Sequence, residues 1–569
     1  MVDASGNTLP APDAPLPLNT SEPESQSETN RGVARATGVL ALGNIASRVL
    51  GLAREVVIAN LFGATGATDA LRVAVVVPKA LYDLLIGGHV NSAVIPVLSE
   101  VVTVQGRAEL WRLVAVLLNL VTVALSLLVL LIVVFAEPIV SVVGGGYSEP
   151  VLALAASLLR LTAPALVFLG LFAILSGTLY ALRMFTWPAF AGVVFNGSIV
   201  LVTLLLVPAP AVQWSVSGGA LPALAAARPA DAIVVVALGW LIGALAQLAL
   251  QFAGLRGAPL IALAHWWHPA VRRIVVLYIP VMLSLILDTL VIRTFSYNLA
   301  SQTGEGSISY MDLATTLIQF PQGLIATAIS IAILPTLARQ AVLTTDAGRA
   351  AFRDTLGLGL RLAITMILPA AAGLFVLAAP IVALLFEHGA FTAADTQITA
   401  LALRLYLFGL PFAALDLLLV YAFYARQDTL TPALVGLLSL TVYMVTALAL
   451  FSRYGLFSLM IADSLKHGVH ALASAYLLRR RLDGFGGQRL LLTIAKAGLA
   501  ALAMGGAIAL ALPLLAGWLG ARGLLAELAL VTVSGGLGVS IFLLLATLLR
   551  LEELRWLAEL VQQRLRRAG

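Results

Sequence analysis

The chain has 569 residues, of which 60% are hydrophobic and only 11% charged, and its mean hydropathy is +1.01. Soluble domains carry roughly 25% charged residues, so this composition excludes an ordinary soluble fold. It predicts an all-α polytopic membrane protein. The chain has no cysteine, which excludes disulfides, thiolate metal sites and cysteine nucleophiles. The net charge of +6 comes from arginines scattered over short loops, which indicates membrane topology and not nucleic-acid binding.

The predicted elements begin after an N-terminal tail. Residues 1–32 are rich in Pro, Ser, Thr, Glu and Asp, which predicts a disordered segment. Beyond the tail, apolar runs separated by Gly, Pro and charged residues predict about fourteen transmembrane helices. The predicted spans are 34–61, 68–98, 110–135, 151–181, 187–207, 231–254, 270–300, 308–338, 354–378, 394–424, 430–451, 456–478, 490–516 and 524–549.

The loops between these spans predict the orientation. Arginines concentrate in every second loop, and the positive-inside rule places such loops and both termini in the cytoplasm. The last segment, 550–569, has Leu and Trp on one face and charge on the other. It is expected to be an amphipathic helix on the inner membrane surface.

The chain also repeats itself at an offset of roughly 240 residues. AVIPVL at 93–98 matches AILPTL at 332–337, and LRL at 159–161 matches LRL at 403–405. Two six-helix lobes in the same orientation are therefore predicted, related by a pseudo-twofold axis along the membrane normal. The predicted parts are an N-terminal lobe (33–257), a C-terminal lobe (258–482), an appended helix pair (483–549) and a cytoplasmic tail (550–569).

One apolar stretch, residues 47–100, carries a concentration of charged side chains. They include Arg48, Arg54, Asp69, Arg72 and Lys79. A charge at bilayer depth costs at least ~2.5–3.5 kcal/mol on insertion scales, so such residues usually face a partner or a wet cavity. The stretch is therefore predicted to form the wall of a polar cavity.

Five motifs carry a family resemblance: SRVLGLARE, LFGATGATDA, PVLSE, FEHGAFTAADT and FYARQDTLTP, at 47–55, 61–70, 96–100, 386–396 and 423–432. Together they resemble the MurJ (MviN) family, lipid II flippases of the multidrug/oligosaccharidyl-lipid/polysaccharide exporter superfamily. The resemblance implies a transporter and not an enzyme. Its cargo would be an undecaprenyl-pyrophosphate-linked peptidoglycan precursor, moved from the inner to the outer leaflet of the bacterial cytoplasmic (inner) membrane by alternating access between two lobes.

The resemblance also implies which residues face the cargo. Arg48 and Arg54 match arginines that are important in the family, Asp69 matches its aspartate, and Arg293 matches an arginine of the seventh helix. At two other positions where the family has a cavity arginine, this chain has Tyr82 and Thr316. Arg72 and Lys79 are expected to supply charge in their place. Asp288 is a candidate ion ligand, because some family members have a sodium site in the second lobe.

Several of these residues have a structural alternative. Arg48 and Arg54 lie six positions apart, about 240° around a helix, so they do not share a face. Arg54 has an alternative ion pair with Glu55 or Asp69, and Asp69 has alternatives as a cap of the second helix or as the partner of Arg72. Lys79 and Asp83 have the spacing of a mutually neutralising pair.

The predicted partners are lipid II or another lipid-linked oligosaccharide, membrane lipids and cell-wall synthesis proteins. No cofactor is expected, and the driving force is expected to be a Na+ or H+ gradient or the membrane potential. Two alternative functions remain open at this stage. The missing arginines motivate export of another lipid-linked saccharide, and a non-transporting scaffold for envelope assembly is the alternative from a different class.

Overall fold

The protein is described from a computed structural model that covers residues 26–86, 89–207, 229–255, 266–275, 290–343, 345–482, 484, 487–520 and 523–554. Helices account for the fold of these residues. The first lobe consists of α1 (Gln26–Phe62), α2 (Gly66–Ile86), α3 (His89–Val104), α4 (Arg107–Val134), α5 (Ala136–Gly144), α6 (Glu149–Thr162), α7 (Ala165–Ala181), α8 (Thr186–Ala189), α9 (Ala191–Leu206) and α10 (Ile233–Gly254).

The second lobe repeats this pattern, and two further helices follow it. The second lobe consists of α11 (Arg293–Ser301), α12 (Ser307–Pro321), a π-helical segment (Gln322–Thr327), α13 (Ala328–Ala341), α14 (Asp346–Val376), α15 (Ala378–Phe386), α16 (Ala393–Leu407), α17 (Leu410–Ala425), α18 (Leu430–Tyr454) and α19 (Phe457–Arg481). The appended pair is α20 (Leu490–Leu519) and α21 (Leu524–Leu548).

The all-helical membrane fold is confirmed. Within the described ranges, eight helical segments are long and apolar enough to cross a membrane, with α6–α7 and α12–α13 each counted as one segment. Counting α16 and α17, bent by 43°, as one span makes nine. The count of fourteen stays a prediction. The tail prediction was too long, because α1 begins at Gln26, inside the segment 1–32. Residues 276–289 and 555–569, which carry part of the seventh predicted span and most of the C-terminal tail, lie outside the described residues.

Several predicted spans are broken helices. Span 151–181 is divided between α6 and α7 beside Pro164, which cannot donate a backbone hydrogen bond. Span 394–424 is divided between α16 and α17, and Pro411 lies in the first turn of α17. Span 308–338 continues through its π-helical segment, which begins directly after Pro321. Hydropathy detects the length of an apolar run but not a bend within it.

The internal repeat is visible in equivalent contacts. Arg160 of α6 donates through Nε to the carbonyl of Val133 at the end of α4, at 3.4 Å. The repeat-equivalent Arg404 of α16 donates through Nε to the carbonyl of Phe375 at the end of α14, at 3.1 Å. Each arginine therefore satisfies a C-terminal carbonyl of a long helix, which is favourable for a cation at a helix C-terminus.

Small residues allow the helices of each lobe to pack closely. A Cβ atom on Gly243 of α10 would lie 2.9 Å from the carbonyl oxygen of Phe195 on α9, and one on Gly239 would lie 3.2 Å from the Cα of Ile199. At Gly243 a side chain would force the backbones apart, and at Gly239 it would be tighter than an ordinary contact. Interfaces of this kind are typical of membrane helices, where dispersion contacts and not water exclusion hold the helices together.

Two segments outside the repeated helices attach to the lobes. Residues 266–275 pack against the first lobe through Arg273–Glu100 at 2.8 Å and His268–Glu109 at 3.1 Å. The sequence boundary at 257/258 assigned this segment to the second lobe. The appended pair packs on the second lobe through an apolar cluster that includes Met504, Phe542 and Ile364. Just beyond α21, a carboxylate oxygen of Glu553 lies 2.9 Å from Nε of Arg361 on α14.

Candidate functional site

A polar cavity of about 430 Å³ lies between the two lobes. Helices α1, α2 and α10 of the first lobe and α11, α12, α16, α18 and α19 of the second contribute to its wall. Its charged lining consists of five cationic and three acidic side chains: Arg48, Arg54, Arg72, Lys79, Arg293, Glu55, Asp312 and Asp463. Trp240, Tyr297, Tyr406 and Tyr443 add aromatic surface.

All five cations proposed from the sequence reach this cavity. Arg48 and Arg54 come from α1, Arg72 and Lys79 from α2, and Arg293 from the start of α11. The cavity wall expected for residues 47–100 is therefore present, and it continues onto the second lobe. Binding of a cargo by these side chains stays a prediction.

Arg54 lies in an ion pair at the edge of the cavity. Its Nη2 atom is 2.7 Å from Oε1 of Glu55, and its Nη1 atom donates to Oδ1 of Asn196 at 2.9 Å. The Trp240 ring lies 5.9 Å from the guanidinium carbon. The structure therefore shows the Glu55 alternative for Arg54 and not the Asp69 alternative.

Arg72 connects the two lobes. Its Nη2 atom is 3.0 Å from Oε2 of Glu55 in the first lobe, and its Nη1 atom is 3.0 Å from Oδ2 of Asp312 in the second. Its Nε atom donates to Oγ of Ser309 at 3.0 Å. The hydroxyl of Tyr297 donates to the same Asp312 oxygen at 2.7 Å. Pairing of Arg72 with Asp69, which the spacing of three residues suggested, is not the arrangement found.

Asp69 is the one predicted cavity residue that the structure places elsewhere. Its side chain is fully buried and does not line the cavity. The carboxylate accepts hydrogen bonds from the backbone N–H groups of Gly306 at 2.6 Å and Ser309 at 2.9 Å, and from the hydroxyls of Ser309 and Tyr147. Gly306 precedes the first residue of α12, so Asp69 caps a helix of the other lobe and not its own.

Further hydrogen bonds surround Asp69 and close the same end of the cavity. The N–H of Gly66 donates to Glu305 at 3.1 Å, and the side chain of Asn298 donates to the carbonyl of Val142 at 2.8 Å. The N–H of Ala390 donates to the carbonyl of Asn60 at 2.8 Å. These contacts join the two lobes at the junction of α1 and α2 and between α5 and α11, and we refer to this part of the molecule as the closed end.

The remaining predicted residues have different outcomes. Arg48 donates through Nη1 to the carbonyl of Gln319 at 3.2 Å and so also reaches the second lobe. Lys79 and Asp83 form no salt bridge within 4.0 Å in the described part of the chain, but their charges still attract each other, as their spacing suggested. Thr316 lines the cavity where the family has an arginine, and its hydroxyl donates to the carbonyl of Asp312 at 2.9 Å. Asp288 and the side chain of Tyr82 lie outside the described residues.

Sequence reasoning missed Asp312 and did not assign Glu55 or Asp463 to the cavity. A signal for Asp312 was present, because Arg72 and Asp312 are 240 residues apart, as are Asp69 and Ser309. This is the offset of the internal repeat. Residues that are equivalent under a twofold axis meet when they lie beside that axis. The repeat therefore predicts contact between α2 and α12.

A smaller cavity of about 170 Å³ adjoins the first one inside the second lobe, and Asp463 lines both. Asp463 is 2.6 Å from Nζ of Lys466, and His467 also lines the smaller cavity. His470 pairs with Asp416 of α17 nearby. Within the described part of the chain, no group of three or more His, Cys, Asp or Glu side chains is arranged to hold a metal ion.

Comparison with known proteins identifies the family. The profile described as "Lipid II flippase MurJ" matches residues 58–526. The chain belongs to the MurJ family. A Burkholderia cenocepacia relative named "Lipid II flippase MurJ" is 32% identical over 408 residues, which cover 69% of this chain and 73% of that protein. A Vibrio cholerae relative named "Probable lipid II flippase MurJ" is 29% identical over 531 residues, which cover 90% of this chain and 95% of that protein.

Solved structures share the fold of this chain. The structure titled "Lipid II flippase MurJ, inward closed conformation" superposes with a TM-score of 0.72 at 23% identity, covering 90% of this chain and 98% of that one. An inward-facing MATE family transporter of the MOP superfamily superposes with a TM-score of 0.62 at 13% identity, and the match covers 77% of this chain and 95% of that one. The MurJ family assignment makes the chain a multi-pass membrane transporter and not an enzyme.

Proposed function

We propose that this chain is a lipid II flippase, which carries an undecaprenyl-pyrophosphate-linked peptidoglycan precursor between the leaflets by alternating access of its two lobes. The observation that carries this proposal is the inter-lobe cavity, whose lining has more cations than acids. A pyrophosphate requires cationic donors, and the planar arginine fork matches its oxygens. The lipid tail would remain in the bilayer while the headgroup occupies the cavity.

The orientation belongs to the same proposal. We place the protein in the bacterial cytoplasmic membrane with both termini in the cytoplasm, as the arginine-rich loops indicate. The closed end then faces outward, because α1 would leave the cytoplasm and end there. In this arrangement the cargo enters from the inner side and the closed end must open for its release. Association with cell-wall synthesis proteins is part of the proposal.

The driving force is proposed to be a Na+ or H+ gradient or the membrane potential. Support within the described residues is limited to the second lobe, where Asp463, Lys466 and His467 lie together beside the smaller cavity. Asp463 also lines the larger cavity, so its charge contributes to the electrostatic potential in both cavities. Asp288 remains the candidate ligand for sodium that the family resemblance implies.

Export of another lipid-linked saccharide is the second candidate, and a specific observation favours it. Thr316 stands in the cavity wall where the family has an arginine, and Asp312 adds a carboxylate on the same helix. The cavity is therefore less cationic on the second lobe than the family pattern implies. A non-transporting scaffold is disfavoured, because a scaffold has no use for eight charged side chains around an internal cavity.

Rescue of cells depleted of their own lipid II flippase tests the proposal. The wild-type chain and Arg48→Ala are compared, with Arg112→Ala as the control because Arg112 is an exposed arginine paired with Glu109 outside the cavity. The wild-type chain and the control are expected to restore wall synthesis, and Arg48→Ala is expected to fail at equal protein levels. If the wild-type chain is correctly inserted and does not rescue, lipid II is not its cargo and the second candidate replaces it.

A further inference from the structure

The two arginines best placed to bind a phosphate are already occupied by carboxylates. The carboxylate oxygens of Glu55 lie 2.7 Å from a guanidinium nitrogen of Arg54 and 3.0 Å from one of Arg72. A carboxylate oxygen of Asp312 lies 3.0 Å from a second nitrogen of Arg72. The three donor nitrogens of Arg72 each have one acceptor, in Ser309, Asp312 and Glu55. Arg72 has five N–H donors, so a phosphate oxygen can bind one of the two that remain, and its charge then competes with these partners for the guanidinium.

One of these partners belongs to the other lobe. Glu55 and Arg72 are both in the first lobe, on α1 and α2, whereas Asp312 is on α12 of the second. The Arg72–Asp312 bridge lies one helical turn from Asp69, beside the contacts that form the closed end. Loss of this bridge removes an attraction between the lobes, whereas loss of Arg72–Glu55 does not.

We propose that Glu55 and Asp312 are internal substitutes for the phosphate groups of the cargo, and that a lipid-linked pyrophosphate displaces Asp312 from Arg72 and so loosens the closed end. This inference rests on the proposed function and adds how cargo binding is coupled to opening. The ligand class is a pyrophosphate or closely related phosphate ester. Under this arrangement the empty transporter stays shut at the closed end, because Asp312 holds Arg72 until a stronger anion arrives.

The geometry makes this exchange inexpensive. The Asp312 side chain is 26% exposed to the cavity and Glu55 only 9%, so Asp312 is the more accessible of the two carboxylates. When Arg72 turns to a phosphate, Asp312 keeps the hydrogen bond from Tyr297 at 2.7 Å. Glu55 keeps Arg54. Neither carboxylate is left without a partner, which avoids the penalty for a lone buried charge.

The test uses a reporter of the closed end. The natural chain has no cysteine, so Val142→Cys with Asn298→Cys places the only two thiols on opposite lobes at positions that are hydrogen-bonded in this structure. The rate at which a short bifunctional thiol reagent joins them in the purified, membrane-reconstituted full chain reports closure. The probes are inorganic pyrophosphate, farnesyl pyrophosphate and farnesol, and their affinities are measured by calorimetry.

Farnesyl pyrophosphate is expected to slow crosslinking, and farnesol is expected to have no effect. A response to inorganic pyrophosphate as well assigns the effect to the pyrophosphate group itself, and a response to the lipid form alone assigns it to a lipid headgroup; both support the proposal. If farnesol acts as strongly as farnesyl pyrophosphate, or if neither pyrophosphate alters crosslinking, the proposal is overturned.

Two variants separate the bridge from simple competition for the arginines. Asp312→Asn is expected to bind farnesyl pyrophosphate on the order of tenfold more tightly and to crosslink more slowly without ligand. Glu55→Gln is expected to bind more tightly with unchanged crosslinking, because its carboxylate does not join the lobes. Glu137→Gln is the control, since Glu137 pairs with Arg160 outside the cavity. Unchanged affinity and crosslinking in folded Asp312→Asn would overturn the bridge.

These measurements remain separate from the rescue experiment. If the wild-type chain rescues depleted cells but Asp312→Asn behaves like wild type in both assays, the proposed function stands and this inference fails. If pyrophosphate displaces the bridge but the wild-type chain does not rescue, the inference stands and lipid II is the wrong cargo.

Discussion

Replacement of Asp69 by Asn is the sharpest test of the closed end. The carboxylate is fully buried and accepts four hydrogen bonds, three of them from Gly306 and Ser309 of the other lobe. Asn keeps one acceptor oxygen and turns the other into an NH2 group that faces donors. A hydrogen bond to a charged group contributes about 1.5–3 kcal/mol, and two are lost or weakened.

The net effect is smaller than the sum of these bonds, because the variant no longer buries a charge. We expect the closed arrangement to lose roughly 3 kcal/mol relative to the open one, which is about 100-fold in the equilibrium between them. The Val142→Cys and Asn298→Cys pair measures this directly as a slower crosslinking rate. Size-exclusion chromatography checks that the variant remains folded.

Tyr147→Phe is the matched control. It removes one hydrogen bond to the same carboxylate, but Tyr147 and Asp69 belong to the same lobe, so crosslinking should stay close to that of the wild type. If Asp69→Asn crosslinks at the wild-type rate, or if both variants slow it equally, cross-lobe capping does not hold the closed end together.

Three other predictions concern packing and charge elsewhere in the chain. Arg404→Ala should lower the free energy of unfolding by about 1 kcal/mol, because the carbonyl of Phe375 loses its hydrogen bond. Arg160→Ala should have a similar effect if the two repeat positions are equivalent, and thermal unfolding in detergent measures both. Gly146→Ala should slow the same crosslinking reaction, since its Cβ would lie 2.4 Å from the backbone nitrogen of Gln302; Gly498→Ala, with no neighbour within 4 Å, should not. Burial raises the pKa of Asp428, but hydrogen bonds from Thr431 and Arg481 outweigh it and hold the pKa at about 2. The stabilisation from Asp428 should therefore be present at neutral pH and be lost as pH falls from about 4 towards 2, and a thermal shift between wild type and Asp428→Asn that is the same at pH 7 and pH 2 would contradict this.

The two lobes and the cavity could be predicted from the sequence because each produces a recognisable local pattern. The repeat is readable from short matched segments, and charges in an apolar run are expensive unless they face a cavity or a partner. Arg48, Arg54, Arg72 and Lys79 were therefore predicted to face a cavity from their place in an apolar stretch, and Arg293 was predicted from the family resemblance. The role of Asp69 was not, because a cap usually serves its own helix, and only the tertiary fold brings α2 to the start of α12.

The acidic half of the cavity was harder to predict for a different reason. Glu55 follows Arg54 directly in the sequence, which suggests a local partner and gives no sign of its contact with Arg72. Asp312 lies on a helix whose family pattern drew attention to Thr316 instead. Its partner Arg72 is 240 residues away. Contacts between repeats become predictable only when the repeat is treated as an axis of symmetry and not merely as evidence for two lobes.

The Arg72–Asp312 bridge also shows that the two halves of this chain differ where they meet. The two residues occupy equivalent positions in the two halves, 240 residues apart. In an ancestral dimer of identical halves, the same residue would have faced its own copy across the axis, and two arginines or two aspartates would have repelled each other. Opposite charges at these positions therefore require two halves that differ in sequence. The two halves of this protein are therefore no longer interchangeable, and neither one dimerising with itself would rebuild this contact.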